Sequence, residues 1–294
     1  MIQPNTHASR LGNSALLVVI SLLILDSLHF VFARLLLPHL SPGVSAMYVM
    51  GIGSLEVGLT GLIRGRLRWR ELRDHLGFFL ILGLLVSVST TINYEAVAWI
   101  DPGTASVLAK TSILFGLGFG LVWLQEKLRP AQISGALVAM LGVFVISFQP
   151  GDYFRLGSLL ILASAFMYAL HAAIVKRYGG GLEFTEFFFF RLLVTTSFLF
   201  LFSLGRQTLV WPAATTWPLL ILIGTVDIVI SRTLYYVALR RLKLSIHAVV
   251  LTLSPAVAVL WLLTLIDVVL TSQQVLGGLA VVLGVLIVTV NRTD

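Results

Sequence analysis

Apolar residues in this chain come in runs of roughly twenty, parted by short clusters of charge, proline and glycine. A helix rises 1.5 Å per residue, so each run is long enough to cross a hydrocarbon layer of about 30 Å. The pattern predicts ten helices, beginning near Ala15, Val44, Leu76, Pro102, Pro130, Leu156, Phe187, Trp217, Leu244 and Val275. The expected fold class is therefore an all-α integral membrane bundle with short connections. Residues 1–14 are polar and read as a short cytoplasmic segment. The first apolar run ends without a small-residue cleavage site, which marks it as a retained span rather than a removable signal.

Composition supports this reading: 58% of the 294 residues are hydrophobic and 11% are charged, against about 25% charged in soluble domains. The absence of cysteine excludes disulfides, thiolate metal sites and thiol nucleophiles. A net charge of +7 invites a nucleic-acid reading, but its placement argues against one. With the N-terminus inside, fourteen Lys and Arg fall on cytoplasmic connections, among them Arg64, Arg66, Arg68, Arg70 and Arg73. Only Arg34, Arg155 and Arg206 fall outside. Positive residues accumulate on the cytoplasmic side of membrane proteins, so both termini are expected there. The partner of the basic loops is the lipid surface, not nucleic acid. Trp69 and Trp123 on the inner side, with Trp99, Trp211 and Trp217 on the outer, suit interfacial belts.

Shifted by 142 positions, the chain matches itself without a gap. QISGALVAMLGVFVIS from Gln132 lies over QVLGGLAVVLGVLIVT from Gln274, Tyr94 over Tyr236, Ser112 over Ser254, and Leu28-His29 over Leu170-His171. The chain divides into a five-helix half at 15–148 and a second at 156–290. A unit that crosses the membrane five times must be followed by its copy upside down. Inverted repeats of this kind are a property of carriers, whose substrate site lies near the midplane where the halves meet.

The paired segments TSILFGLGFGLVWLQEKLRPAQISGALVAMLGVFVIS and SPAVAVLWLLTLIDVVLTSQQVLGGLAVVLGVLIV resemble the drug/metabolite transporter superfamily, EamA type. The resemblance covers essentially the whole chain. It implies a ten-helix basket of inverted repeats that moves small metabolites, usually outward, with amino acids and related compounds as the common substrates. The chain departs from the pattern at Ile113, where a proline is expected, and at Val268, where the second half lacks the counterpart of Glu126.

Ionisable residues inside the spans carry the candidate chemistry. An aspartate at a helix centre costs about 2.5–3.5 kcal/mol on insertion scales, so Asp26 should face the bundle interior. His29 lies one turn on and shares its face. Asp26, His29 and Glu56 are the candidates for proton coupling or gating; a buried, hydrogen-bonded pair holding the bundle together is the alternative for the first two. Asp227, Lys110, Arg191 and Arg232 are also deep, and the buried charges balance. They either pair across helices or leave Lys110 or Arg232 to meet a substrate carboxylate. Tyr235 and Tyr236 follow Arg232 at spacings that allow stacking on its guanidinium. Asp227, Ser231 and Tyr235 form one helical stripe. In SVSTTINYEA, Asn93 and Tyr94 read as cavity wall, with interhelical packing as the rival. The expected substrate-binding set is Asn93, Tyr94, Lys110, Asp227, Ser231, Arg232 and Tyr235.

Other motifs read as structure. Pro255 should kink the ninth span, with Thr252 quieting the carbonyl it frees. GLGFG at Gly116–Gly120 and GLIRG at Gly61–Gly65 allow close helix approach. The run EFFFFR is expected at the lipid interface, and His171 and His247 are expected to be structural. No HExxH, P-loop, CxxC or GxSxG element is present, so no enzyme, metal or cofactor is expected. The reading is a secondary exporter of small metabolites in the inner or plasma membrane, with protons as a candidate coupling ion. A carrier for lipophilic cations is the alternative, and a non-transporting scaffold or sensor the more distant one.

Overall fold

The computed structural model describes residues 6–28, 32, 35–36, 38–96, 108–109, 111–147, 156–254, 257 and 272–290. His29, Lys110 and Pro255, and the side chains of Asn93, Tyr94 and Glu95, lie outside the described set. All regular structure among the described residues is helical. The first half comprises α1 (Thr6–Ser27), α2 (Pro42–Ile63), a short α3 (Trp69–Asp74), α4 (Leu76–Ala96), α5 (Ser112–Gly118) and α6 (Pro130–Ser147). The second comprises α7 (Leu156–Tyr178), α8 (Phe184–Gly205), α9 (Trp217–Ile223), α10 (Arg232–Arg241), α11 (Leu244–Val250) and α12 (Ser272–Val290). Wide π turns extend α5 through Phe119–Trp123 and join α9 to α10 through Gly224–Ser231.

Eight of the expected starts fall within three residues of a helix start. The first helix begins earlier, at Thr6, because the polar stretch ahead of Ala15 continues the same helix. The fourth start, at Pro102, lies outside the described residues. Local chemistry sets the ends. Pro42 and Pro218 occupy first-turn positions, where a missing N–H is harmless. The Glu183 carboxylate accepts from the Thr185 and Glu186 amides at 2.7 and 3.0 Å and so caps α8. Gly65, at φ +61°, turns the chain after α2 in the left-handed conformation that favours glycine. Pro42–Ile63, Leu156–Gly181, Phe184–Gly205 and Ala214–Arg241 are by themselves long and apolar enough to span a membrane, and shorter apolar helices accompany them.

The two halves pack by exchange. α6 lies on α12 and α2 on α8, each pairing a helix with its repeat equivalent, and α5 lies on α11, joining the fourth span to the ninth. The α4–α7 contact in one place is matched by α10–α1 in the other, and α4–α8 by α2 against the π segment. α6 and α12 meet most closely. A methyl on Gly142 would strike the Gly277 carbonyl at 2.7 Å, and one on Gly135 the Gly284 carbonyl at the same distance. Gly135 and Gly142 are the repeat equivalents of Gly277 and Gly284, and the crossed pairing means that α6 and α12 run antiparallel. α2 and α8 do too, since Gly58 meets Phe189 and Gly51 meets Thr196. Small residues serve here because lipid supplies no hydrophobic drive between helices, so backbones must approach closely to gain dispersion contacts.

Three expectations are corrected. The run Phe187–Phe190 is not at the lipid interface: its four rings are 0%, 1%, 8% and 0% exposed. Phe190 packs on Phe79 at 5.6 Å, Phe187 on Tyr236 at 5.1 Å, and Phe189 on Trp69 at 6.1 Å. A helix apolar all round is buried all round when other helices enclose it. Of the two glycine motifs, Gly120 does meet α11 at Ser245, but Gly61 packs on Leu67 of its own returning chain, so GLIRG is the last turn of α2 and the bend that follows it.

The repeat, third, is not free of gaps. Gly83 approaches Val194, and Gly224 approaches Ile52. Ile52 and Val194 are 142 apart in sequence, but the two glycines are 141 apart. Buried and exposed positions from Leu220 to Val229 follow those from Phe79 to Val88 at the shorter spacing, and those from Ser231 to Leu234 follow Ser89 to Ile92 at the longer one. The eighth span therefore carries one extra residue, Ile230, taken up within Gly224–Ser231. An added residue inside a helix either rotates everything beyond it by about 100° or is absorbed in a turn with i→i+5 bonds. This helix does the latter.

Candidate functional site

The wide turn shapes the site. In an α-helix, residues five apart stand about 140° apart around the axis. In a turn closed by i→i+5 bonds they come onto nearly one face. Asp227, buried at 2% exposure, therefore sits over Arg232, with Oδ1 at 3.9 Å from Nη2. This corrects the stripe Asp227–Ser231–Tyr235: the π geometry takes Asp227 toward Arg232, while Ser231 and Tyr235 keep ordinary helical spacing. Gly224 and Gly53 allow the wide segment against α2, since a methyl on either would overlap the isoleucine opposite, Ile52 or Ile228.

Arg232 is the centre of the cluster. Its Nη1 donates to Asp26 Oδ1 on α1 at 3.2 Å, and Ser254 Oγ donates to Asp26 Oδ2 at 2.9 Å. Asp26 thus faces the interior, joining α1 to the spans of Arg232 and Ser254. Two carboxylates thus stand around one guanidinium. The Arg232 and Asp26 side chains keep 14% and 19% exposure, so part of the cluster is open to solvent-sized groups. Ser231 Oγ is fully buried and has no hydrogen-bond partner among the described residues. Glu56 on α2 accepts from the Thr225 hydroxyl at 2.7 Å. Two surface hollows of about 460 and 480 Å³ lie elsewhere, the first beside Pro38 and Thr208, the second beside His75 and Trp123.

A second polar group surrounds Tyr236, which is 1% exposed. Its hydroxyl lies 3.1 Å from His171 Nε2, and the Arg191 guanidinium stands 5.4 Å from its ring centre. The cation expected over this ring was Arg232; the structure places Arg191 there, because Arg232 is drawn to its two aspartates. His247, 2% exposed, meets the Tyr235 ring edge-on at 4.6 Å. Sequence reasoning set His171 and His247 aside, yet both lie within electrostatic reach of the charged cluster. The signal was available: each is a lone ionisable residue in an apolar span.

At one end of the bundle, charged side chains close over helix termini. Lys176 Nζ donates to the carbonyls of Leu239, Arg240 and Leu242 at 2.8, 3.2 and 2.6 Å. Arg177 donates to the Trp123 carbonyl at 2.7 Å, and Arg240 to those of Gly179 and Leu182 at 3.1 and 3.2 Å. Glu126 accepts from the Leu244 and Ser245 amides and the Ser245 hydroxyl, capping α11. The last carbonyls and first amides of helices lack intrahelical partners, and these side chains supply them. Arg68, in the connection before α3, donates to both Glu186 oxygens at 3.0 and 3.2 Å, and this carboxylate holds the guanidinium above its ordinary value. Thr252 donates to the Val249 carbonyl at 2.6 Å, a bond within its own turn and not to the carbonyl that Pro255 would free.

Apolar spans in two exchangeable halves, around a charge cluster built from both, define a multi-pass membrane transporter. The EamA-like transporter family model matches the chain twice, over residues 13–148 and 155–290, and the chain belongs to that family. An uncharacterized transporter of Clostridium kluyveri is 30% identical over 120 residues, covering 36% of this chain and 38% of that protein. The uncharacterized transporter YdfC of Bacillus subtilis is 26% identical over 145 residues, 47% of each chain, and an uncharacterized transporter of Acidianus ambivalens is 28% identical over 101 residues, 34% of this chain and 40% of that one. The chain thus spans less than half the length of each relative in these matches. A solved structure described as a crystal structure of protein superposes with a TM-score of 0.79 at 20% identity, covering 95% of this chain and 97% of that one, a likeness of fold.

Proposed function

We propose that the protein is a secondary carrier that exports small metabolites, such as amino acids or related compounds, by alternating access. The halves are two inverted five-helix repeats, ten spans in all, with both termini cytoplasmic and the protein in the inner or plasma membrane. The antiparallel course of α6 against α12 and of α2 against α8 supports the inversion, and the Lys and Arg bias supports the orientation. The carrying observation is the Asp26–Arg232–Asp227 cluster with Ser254, built from both halves at intramembrane depth. Charges at that depth are expensive unless they serve a pathway or hold one another. The partial exposure of Asp26 and Arg232 supports the first role. No covalent step and no cofactor belong to this reading.

Asp26 is the candidate proton carrier, since loading its carboxyl with a proton would loosen its hold on Arg232. Glu56 is a second. The test compares metabolites in the medium of cells with and without the protein, then repeats the comparison for Asp26→Asn in acidic and alkaline media. Loss of the pH response is expected. An unchanged rate and pH response would reduce Asp26 to a structural role.

One observation favours efflux of lipophilic cations as a second reading. Glu56 bonds to a hydroxyl, and no basic side chain among the described residues lies within ion-pair distance of it. A panel of hydrophobic amines competing for export, with Glu56→Gln abolishing the competition, would select this reading.

A further inference from the structure

Among the described residues, Arg191 is a deep cation that the transport cluster does not use. It lies on α8 at 3% exposure, and its contact is the face of Tyr236. Its Nε has no hydrogen-bond acceptor among the described residues. No described carboxylate lies within ion-pair distance of it: Asp26 and Asp227 face Arg232, and Glu186 is taken by Arg68. A guanidinium has five donors and keeps its charge at any working pH. Burying it without an anion is costly, and a ring face does not replace the lost hydrogen bonds.

A second group beside it is also unmet. His171 is 1% exposed, and its Nδ1 has no partner among the described residues. In the tautomer in which the Tyr236 hydroxyl donates to Nε2, the ring proton sits on Nδ1 and makes it a donor. Arg191 and His171 therefore bring donor capacity without acceptors to the two sides of one tyrosine. Arg232 adds a further positive field at His171. The polar groups around Tyr236 favour a negatively charged guest.

We propose that Arg191, with His171 and Tyr236, forms an oxyanion subsite that takes a carboxylate or phosphate group of the transported molecule. The proposal rests on the carrier reading and narrows its substrates to anion-bearing metabolites. Arg191 gives two parallel N–H donors to such a group, and His171 a third from the side.

The test is thermal unfolding of the purified full chain in detergent with sodium acetate, inorganic phosphate or methylammonium chloride, against sodium chloride at equal ionic strength. Acetate or phosphate should raise the wild-type midpoint by roughly 2–4 °C, with methylammonium inert. The arm that responds tells carboxylate from phosphate. Arg191→Met should abolish the rise while leaving the midpoint without ligand equal to or above the wild-type value, because a lone buried charge has become an apolar chain. Arg191→Lys should keep part of the rise. A rise that survives in Arg191→Met, no rise in either anion arm, or a lowered midpoint of ligand-free Arg191→Met would each overturn the proposal. Metabolite profiles of the medium separate this from the carrier reading. Export of compounds without any oxyanion group sinks the subsite alone, whereas identical profiles with and without the protein sink transport itself.

Discussion

The α1–α10 and α4–α7 interfaces occupy equivalent places in the two halves, yet they are held by opposite chemistry. The first carries Asp26 and Arg232 at 3.2 Å with partial exposure. In the second, Ser89 and Ser164, both essentially fully buried, stand with their hydroxyls 2.7 Å apart and each hydroxyl 3.1 Å from the other's carbonyl oxygen, so their two protons serve two of these three contacts at a time. In the repeat, Ser231 stands where Ser89 does, Thr90 where Arg232 does, and Tyr168 where Asp26 does. The duplicated backbone thus supplies two like seams, one a dry polar lock and the other charged. The site arises where the copies differ. One inserted residue, Ile230, adds to that difference, and the wide turn that absorbs it keeps Asp227 over Arg232.

The largest effect should come from breaking the charged seam on one side. Arg232→Met leaves Asp26 and Asp227 without their counter-charge and should destabilise the protein by about 3–5 kcal/mol, read by thermal unfolding in detergent. The triple variant Arg232→Met, Asp26→Asn, Asp227→Asn should recover most of that stability while transport stays lost. If the triple is no more stable than the single, charge is not what the seam balances.

Deleting Ile230 should sharpen the same contrast. The π segment becomes α-helical and the 141-residue spacing extends through the span; Asp227 and the arginine, then four residues apart, stay on one face. Expression, helicity and export should persist. A deletion variant that has lost export would make the wide turn itself part of the mechanism.

Glu126→Gln weakens the cap on α11 and should cost about 1–2 kcal/mol, measured as a lowered denaturation midpoint. The smallest effect belongs to the dry seam. Ser89→Ala should cost about 1 kcal/mol by leaving buried groups of Ser164 short of a partner, and adding Ser164→Ala should cost less than as much again.

Much of this was legible in the linear chain. Long apolar runs mark helices because lipid satisfies no backbone polar group, and the 142-residue echo of Gly135, Gly142, Gly277 and Gly284 marks the seam between halves. The depth of Asp26, Asp227 and Arg232 was legible for the same reason. Their pairing was not, because it depends on a turn whose width no residue type announces. EFFFFR misled because an apolar ring suits lipid and protein interior alike, and hydropathy does not distinguish them. Arg191 was readable as deep but not as unpaired, since pairing is a property of what surrounds it.

The order of the residues by itself determined a duplicated, membrane-embedded helical chain, since transfer free energy is summed residue by residue and needs no knowledge of neighbours. Only the folded arrangement decided which charges meet, which rings are enclosed and which donors go unmatched. Those outcomes depend on distances of a few ångströms between helices far apart in the chain, where one added residue is enough to change a helix's facing.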